Sequence, residues 1–364
     1  NGQSKLLELT ENEQTWQFTG FDQKPILAML ADFSAPVKLA YRQDDKNLLT
    51  IMKYAKNSFC RWDAGQKLLM SYIKSLTLTP QFVIPEQLLI CFTDILNSGD
   101  DAAFIAEQLV LPSFDEAADI IDQVDPISLV NAIKTLTLFI AKGLEKPLLQ
   151  TLHDCQVILT GVDVSEAQVI ANKALKNICL NYLASMERHT ALVEQQFNDS
   201  DNMTDSLAAL SCSAKYNLED FSAQMQKFEN KWQNTSLVMD KWFSLSASLC
   251  SEEIFEHLDS LAEHSLFSLK NPNRARSLIG AFAMNNPKYF HSASGKGYEF
   301  LADKIAELNI INPQVASRLL TPLIQFNSFS QPHSKLMKAQ LVRLQSLPNL
   351  SNDVKEKLDA SLIA

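Results

Sequence analysis

Glycine is scarce in this sequence: 9 of its 364 residues are glycine, where an average usage of roughly 7% would give about 25. Glycine permits left-handed turns and lets the backbone approach a bound ligand closely. The scarcity therefore argues against folds rich in tight hairpins and against glycine-rich phosphate loops. The nearest approach to such a loop, Gly295-Lys296-Gly297, lacks the third glycine of a dinucleotide-binding motif and follows no apolar strand.

The charge of the chain limits its partners. The sequence has 32 basic and 42 acidic residues, a net charge of -10, and no run of four or more basic residues. Nucleic acids and anionic membranes attract clustered lysine and arginine, so we expect this chain to bind neither nucleic acid nor membrane. No apolar run approaches the ~18 residues that cross a bilayer, and we expect no signal peptide.

The six cysteines are far apart, form no C-x-x-C motif, and several, such as Cys91 and Cys179, stand among apolar residues. The wide spacing and apolar neighbours of the cysteines favour reduced, buried thiols and predict a cytoplasmic protein. The sequence begins with Asn1 rather than methionine, and we expect it to be a piece of a longer polypeptide.

Residues 1–42 have a pattern of their own. The segments 6–9, 15–19 and 35–41 are typical of short β-strands, and the last two alternate apolar and polar residues. Three strands cannot bury the core of a sandwich. We therefore interpret residues 1–42 as the remnant of a truncated β-sandwich domain.

From residue 43 onward the apolar residues recur with the helical period. The predicted helices cover residues 45–56, 59–76, 85–98, 101–110, 114–122, 127–142, 146–154, 165–187, 203–214, 218–232, 235–249, 252–264, 274–285, 299–308, 313–326, 333–346 and 351–362. Asp101, Ser165 and Ser351 are predicted to cap three of them. Many short helices with short connections predict a mainly α fold over residues 43–364, a HEAT- or armadillo-like superhelix of stacked helix pairs.

One repeat period is visible. Asn271-Pro272 and Asn312-Pro313 each open an amphipathic segment, and the two pairs are 41 residues apart, which is within the range of HEAT and armadillo repeats. Asparagine caps a helix, and proline fits the first helical position, where no amide hydrogen is needed. The spacing supports the stacked helix pairs.

The sequence offers no catalytic constellation of its own. The six histidines include no pair at the spacing of a His-Glu-x-x-His zinc site, and no Gly-x-Ser-x-Gly elbow is present. A Cys–His dyad stays open, because its members can be distant in sequence. We expect this chain to supply no metal ligand and no catalytic residue.

Arginine is rare here, and two arginines stand in the Asn-Pro segments. Arg276 follows the first pair, and Arg318 follows the second. One polar stripe at helical spacing contains Gln314, Arg318, Thr321 and Gln325. An arginine on the concave face of a superhelix can hold a carboxylate with two parallel hydrogen bonds. The alternatives are a structural ion pair or a solvated helix face.

Several segments resemble bacterial aminopeptidase N, in the order of its C-terminal part. They are Phe33-Ser34-Ala35-Pro36-Val37-Lys38-Leu39, Arg61-Trp62-Asp63-Ala64, Asn202-Met203-Thr204-Asp205, Val238-Met239-Asp240-Lys241-Trp242-Phe243, Asn271-Pro272-Asn273-Arg274, Arg276-Ser277-Leu278-Ile279-Gly280-Ala281-Phe282 and Asn312-Pro313-Gln314-Val315-Ala316-Ser317-Arg318. The resemblance extends over essentially the whole chain.

The resemblance implies a function that residues 1–364 do not carry alone. Members of this family are zinc metallopeptidases that remove N-terminal residues from peptides, and the zinc, its ligands and the catalytic groups belong to a separate catalytic domain. By resemblance, the helical domain encloses the active-site chamber, with the catalytic domain and the peptide substrate as partners. Arg276, Gln314 and Arg318 resemble substrate-binding positions that face this chamber and contact the peptide backbone or its C-terminal carboxylate.

A second hypothesis comes from another functional class. A HEAT-like superhelix can also be a stand-alone scaffold that binds a protein partner along its concave face. The strand-like residues 1–42 argue against this alternative, because a complete scaffold would not begin with half a sandwich.

Overall fold

The computed structural model describes residues 4–363, so that Asn1, Gly2, Gln3 and Ala364 of the two predicted domains lie outside the described residues. The chain is 67% helical, which confirms the mainly α superhelix. The α-helices of the described part are α1 (Asp45–Tyr54), α2 (Ser58–Leu78), α3 (Gln87–Leu96), α4 (Ala102–Leu109), α5 (Phe114–Ala118), α6 (Pro126–Gly143), α7 (Glu145–Leu159), α8 (Glu166–Ala184), α9 (Thr190–Asp199), α10 (Met203–Tyr216), α11 (Phe221–Trp232), α12 (Ser236–Ala247), α13 (Ile254–Ala262), α14 (Pro272–Ala275), α15 (Ala281–Asn285), α16 (Pro287–Phe290), α17 (Lys296–Ile311), α18 (Pro313–Leu319), α19 (Thr321–Ile324), α20 (His333–Gln345) and α21 (Asn352–Ile363).

Helices that follow one another pack in pairs, such as α1 with α2, α7 with α8 and α17 with α18. Further contacts join one pair to the next, as where α8 touches both α4 and α10. The buried apolar side chains form one continuous cluster from Leu48 to Leu358. No single helix within residues 4–363 is long and apolar enough to cross a membrane, although the bent pair α6–α7 passes that test by length and composition.

Side-chain caps explain where several helices begin. The Asn271 side chain accepts hydrogen bonds from the backbone of Asn273 and Arg274, and Asn312 accepts one from Val315 at 3.2 Å. Proline follows each asparagine at the first helical position. The predicted Asn-Pro helix starts are therefore confirmed.

The other three predicted caps have mixed outcomes. Asp101 accepts from the backbone of two residues of α4, and Ser165 forms a reciprocal capping box with Gln168 at the start of α8. Ser351 does not cap α21, because its buried hydroxyl has no hydrogen-bond partner. Its backbone N–H instead donates to the side chain of Asn309 at 2.9 Å.

The β-strand prediction is wrong for the described part of residues 1–42. No strand forms between residues 4 and 42, which are mostly exposed and have one 3-10 turn at Ala31–Phe33. Strand hydrogen bonds need a neighbouring strand about 4.8 Å away, and no two of the three segments pair. The alternating pattern thus indicates a preference for β-structure, but these segments form no sheet with one another.

One predicted helix is divided in the structure, and one helix was missed. The helix expected at 313–326 is divided into α18, α19 and a 3-10 turn at Phe326–Ser328, because Pro322 has no N–H to continue the hydrogen-bond ladder. The helix α9 was not predicted at all.

The helix predicted at 274–285 begins at Pro272 and contains a π-helical segment, Arg276–Gly280, between α14 and α15. The N–H of Ala281 donates to the carbonyl of Arg276, five residues back. The Ser277 hydroxyl donates to the Arg274 carbonyl at 2.9 Å. π-Helical turns are rare and are often found at functional sites.

Two segments that are distant in sequence meet at one contact. Val124 and Phe329 form a parallel β-bridge, flanked by two backbone hydrogen bonds of 2.9 Å. The Phe114 ring stacks on Phe329 at 6.3 Å and lies 5.3 Å from the His291 ring. We call these four residues the clasp, which joins the start of α6 to the segment before α20.

Candidate functional site

Arg276 stands at the first position of the π-helical segment, and its side chain is exposed. Its Nη1 donates to Asn273 Oδ1 at 3.1 Å, within the same helix. Asn273 is in turn held by the Asn271 cap. The Arg276 side chain therefore extends from a capped helix terminus, and most N–H donors of its guanidinium group stay available to a ligand.

Gln314 and Arg318 are both exposed on α18, one helical turn apart. Val315 and Leu319 are buried on the opposite side of the same helix. The amphipathic pattern of this helix thus holds as far as Leu319, where α18 ends. Gln325, which the sequence pattern assigns to the same polar stripe, lies beyond α19 and outside this helix.

The helices that carry the two arginines touch at Gly280. A Cβ added to Gly280 would lie 3.2 Å from Leu319 Cδ2 and 3.9 Å from Arg276 Cβ. The two helices are therefore close together at this point, and a side chain at residue 280 would require the Leu319 side chain to move. Since Arg276 is one turn before Gly280 and Arg318 directly precedes Leu319, the arginines flank the crossing of the two helices.

The positive charges at this crossing have no anionic partner within the described chain. No carboxylate of residues 4–363 lies within 4.0 Å of Arg276, of Arg318 or of the nearby Lys357. The structural ion pair considered as an alternative therefore finds no partner there. In a chain of net charge -10, unpaired guanidinium groups can accept an external carboxylate through paired hydrogen bonds.

Arg274 shows the contrasting case, two residues before Arg276. It is 4% exposed, its Nε lies 3.0 Å from Asp240 Oδ1, and its guanidinium covers the Phe243 ring at 4.7 Å. Burial lowers the pKa of Arg274, and the nearby Asp240 carboxylate opposes that shift. Arg274 joins α14 to α12 and does not face a ligand.

Sequence reasoning missed Lys357, on the last helix. Lys357 Nζ donates to the Ser317 carbonyl and to the Thr321 hydroxyl, each at 2.9 Å, and so reaches both sides of Arg318. These contacts join residues 36 and 40 positions apart. A lysine in an ordinary amphipathic helix gives no sequence signal for such a contact.

The described residues do not form a metal site. Among residues 4–363 no group of three or more histidine, cysteine, aspartate or glutamate side chains is arranged to hold a metal ion. His264, for example, hydrogen-bonds Glu229 at 2.9 Å and packs against Trp242. The donor set of this part of the chain does not fit zinc, so no chemical step through a metal is derived from it.

Two protein families match the chain. One is described as a domain of unknown function (DUF3458_C) with ARM repeats, and it matches residues 45–363. The other is described as a domain of unknown function (DUF3458) with an Ig-like fold, and it matches residues 1–42. An Ig-like family at residues 1–42 accounts for an alternating pattern that forms no sheet within residues 4–42.

Named relatives point the same way. Aminopeptidase N of Escherichia coli (strain K12) is 41% identical over 370 residues, and that of Haemophilus influenzae (strain ATCC 51907 / DSM 11121 / KW20 / Rd) is 38% identical over 368. Each match covers 99% of this chain and 42% of the relative, so the chain spans less than half the length of these curated relatives.

A solved structure agrees with the fold. The crystal structure of Legionella pneumophila aminopeptidase A in complex with aspartic acid superposes with a TM-score of 0.87 at 26% identity, over 96% of this chain and 42% of that one. The ARM-repeat family covers nearly all of the helical part. The chain therefore belongs to the DUF3458_C family of ARM-repeat domains and is homologous to the C-terminal part of bacterial aminopeptidase N.

Proposed function

We propose that this chain is the C-terminal helical domain of a cytoplasmic, zinc-dependent aminopeptidase that releases N-terminal amino acids from peptides. In this proposal the chain encloses the active-site chamber and anchors the peptide substrate, and it supplies no catalytic residue. The zinc and its ligands belong to a catalytic domain of the same polypeptide, which is the chain's protein partner. Homology to aminopeptidase N over 99% of the chain supports the proposal.

The observation that carries the anchoring role is the pair of exposed arginines at the crossing of α18 with the π-helical segment. Arg276 and Arg318 project from helices that touch at Gly280, and neither has a carboxylate partner within residues 4–363. Gln314, one turn from Arg318, adds an amide that can bond a peptide group. We infer that this site binds the C-terminal carboxylate or the backbone of a short peptide.

A stand-alone scaffold with a protein partner on its concave face is not favoured, because the similarity to aminopeptidase N includes residues 1–42 as well as the helices. The net charge of -10 further supports a chain that binds neither nucleic acid nor an anionic membrane.

The anchoring role is tested with Arg318→Ala in the full-length enzyme. We expect KM for a tripeptide with a free carboxylate to rise roughly tenfold, the loss of one charge-assisted interaction of about 1.5 kcal/mol. The KM of an aminoacyl-p-nitroanilide, which has no C-terminal carboxylate to anchor, should rise far less. Equal increases for both substrates in steady-state kinetics would contradict the anchoring role.

The absence of catalytic groups from this chain is tested with the purified chain itself. We expect no hydrolysis of an aminoacyl-p-nitroanilide above the blank, with or without added zinc, because the described residues offer no donor set for the metal. The full-length enzyme serves as the positive control. Turnover that co-purifies with the chain through two chromatographic steps would overturn this part of the proposal.

A further inference from the structure

The backbone at Arg318 lacks one of the hydrogen bonds that a helix would give it. In an α-helix the Arg318 carbonyl would accept the N–H four residues later, which is the position of Pro322, and proline has no N–H. Helix α18 ends at Leu319, and α19 begins at Thr321. The residue proposed to anchor the peptide therefore stands at a break in its own helix.

One side chain replaces the missing backbone donor, and a second one supports it. The Thr321 hydroxyl donates to the Arg318 carbonyl at 2.9 Å. Lys357 Nζ donates to that same hydroxyl and to the carbonyl of Ser317, both at 2.9 Å. The ammonium group thus bonds the backbone carbonyl of the residue before Arg318 and the side-chain hydroxyl of Thr321 after it. It also lies where the negative end of the α18 dipole favours a cation.

The helix that carries Lys357 is itself firmly packed. Helix α21 lies against α18 and α20, and its Val354 and Leu358 are fully buried. The hydrogen-bond acceptors of Lys357 are neutral, and no carboxylate within residues 4–363 competes for its ammonium group at salt-bridge distance. Lys357 therefore restrains the backbone around Arg318 through Ser317 and Thr321.

We propose that Lys357 is a positioning residue, which holds Arg318 for anchoring of the peptide carboxylate and thereby couples the last helix of the chain to substrate affinity. The inference rests on the proposed function, because it requires Arg318 to bind peptide. A guanidinium that starts from a fixed backbone loses less conformational freedom when it binds. Lys357 itself does not contact the substrate in this proposal. Its loss should therefore weaken peptide binding only through its effect on Arg318.

The experiment compares Lys357→Met in the full-length enzyme with the matched control Lys355→Met, an exposed lysine on the same helix. Tripeptide and aminoacyl-p-nitroanilide are the two substrates. We expect Lys357→Met to raise KM for the tripeptide roughly fivefold with kcat unchanged, the size of a typical coupling between neighbouring residues. Lys355→Met should leave both KM values as they are.

A second variant keeps the test informative if Lys357→Met fails to fold. Thr321→Val removes the hydroxyl between Lys357 and the Arg318 carbonyl while keeping the shape of the side chain, and should also raise the tripeptide KM. The double variant Arg318→Ala with Lys357→Met should be no worse than Arg318→Ala alone, because Lys357 acts through Arg318.

The outcomes separate this inference from the proposed function. If Arg318→Ala raises the tripeptide KM but neither Lys357→Met nor Thr321→Val does, the positioning role is overturned and the anchoring role stands. Equal losses for both substrates, or fully additive effects in the double variant, would also overturn it. If Arg318→Ala itself has no effect on the tripeptide, the proposed anchoring function fails first.

Discussion

Asp205 and Lys176 show at the scale of single residues how a motif shared with a family can be structural. Asp205 Oδ2 lies 2.8 Å from Lys176 Nζ, and both side chains are more than nine-tenths buried. Asn177 and Asn202 donate to the same carboxylate. Burial alone would raise the pKa of Asp205, but the hydrogen bonds from Lys176 and Asn202 outweigh it and hold that pKa below its usual value.

Removal of one partner of this pair should be costly. We expect Asp205→Ala to lower the free energy of unfolding by about 3 kcal/mol, because it leaves the Lys176 ammonium buried without a counter-charge. Chemical denaturation provides the measurement, with the exposed Asp199→Ala as a control that should stay within about 0.5 kcal/mol of the parent.

The double variant Lys176→Met with Asp205→Ala gives a further check on this pair. It should recover much of the loss, because no uncompensated charge is left buried. A double variant as unstable as the sum of the two single changes would show that the charges do not depend on each other.

His291 makes the stability of the chain depend on pH. Its Nδ1 is 2.9 Å from the Tyr298 hydroxyl, which also hydrogen-bonds His333 at 3.1 Å. Asp125 faces His333 at 3.8 Å. Burial, with a smaller effect from His333, lowers the pKa of His291 to about 3. Below pH ~6.5 His291 binds a proton in the unfolded chain but not in the folded chain. The free energy of unfolding therefore decreases as the pH falls from about 6.5 towards 3.

This pH dependence can be measured as the melting temperature between pH 7 and pH 5. We expect the melting temperature of the parent chain to fall more steeply over that range than that of His291→Gln, which cannot bind the proton. The exposed His153→Gln should follow the parent. Parallel curves for the parent and His291→Gln would contradict the assignment.

At the scale of elements, residues 4–42 differ from all the rest. Leu6, Leu9, Phe18 and Phe21 are exposed, and the segment contacts α2 at residues 29–33. There Asn57 exchanges two hydrogen bonds with Asp32. A segment with neither a β-ladder nor a buried core is held by few interactions.

Limited proteolysis tests this difference between elements. We expect chymotrypsin to cut first after Phe18 or Phe21, where the backbone is accessible, and to leave a fragment that contains all of the helices. Mass spectrometry of the first products identifies the sites. First cuts within α2 to α20 would show that the helical part is less stable than its packing indicates.

Much of the helical architecture could be predicted from the sequence. The period of apolar residues and the Asn-Pro starts are local signals, and they located most of the helices. Pro322 is a local signal for the break after α18. The prediction of one helix over 313–326 instead followed the polar stripe, which continues past this proline. No local signal indicated that residues 4–42 would not form strands, since strand formation depends on neighbouring strands from other parts of a sheet.

The candidate site was predictable only in part. Helical spacing and the resemblance identified Gln314 and Arg318, whereas Arg276 was identified as a rare arginine in the first Asn-Pro segment and by the resemblance. The exposure of all three agrees with availability to a ligand. Lys357 could not be found in this way, because its two acceptors lie on other helices, Ser317 on α18 and Thr321 on α19. Whether a residue is exposed is a local property of a helix, whereas its contacts depend on how helices pack.

At the scale of the whole molecule, the clasp has a consequence for synthesis. A growing chain emerges from the ribosome N-terminus first, at ~5–20 residues per second. Phe114 and Val124 are translated early, but the clasp cannot form until Phe329 has been translated as well. The roughly 200 intervening residues take on the order of 10–40 s to make. During that interval the Phe114 ring lacks its native contact with Phe329, so part of its apolar surface stays uncovered until the segment before α20 is translated.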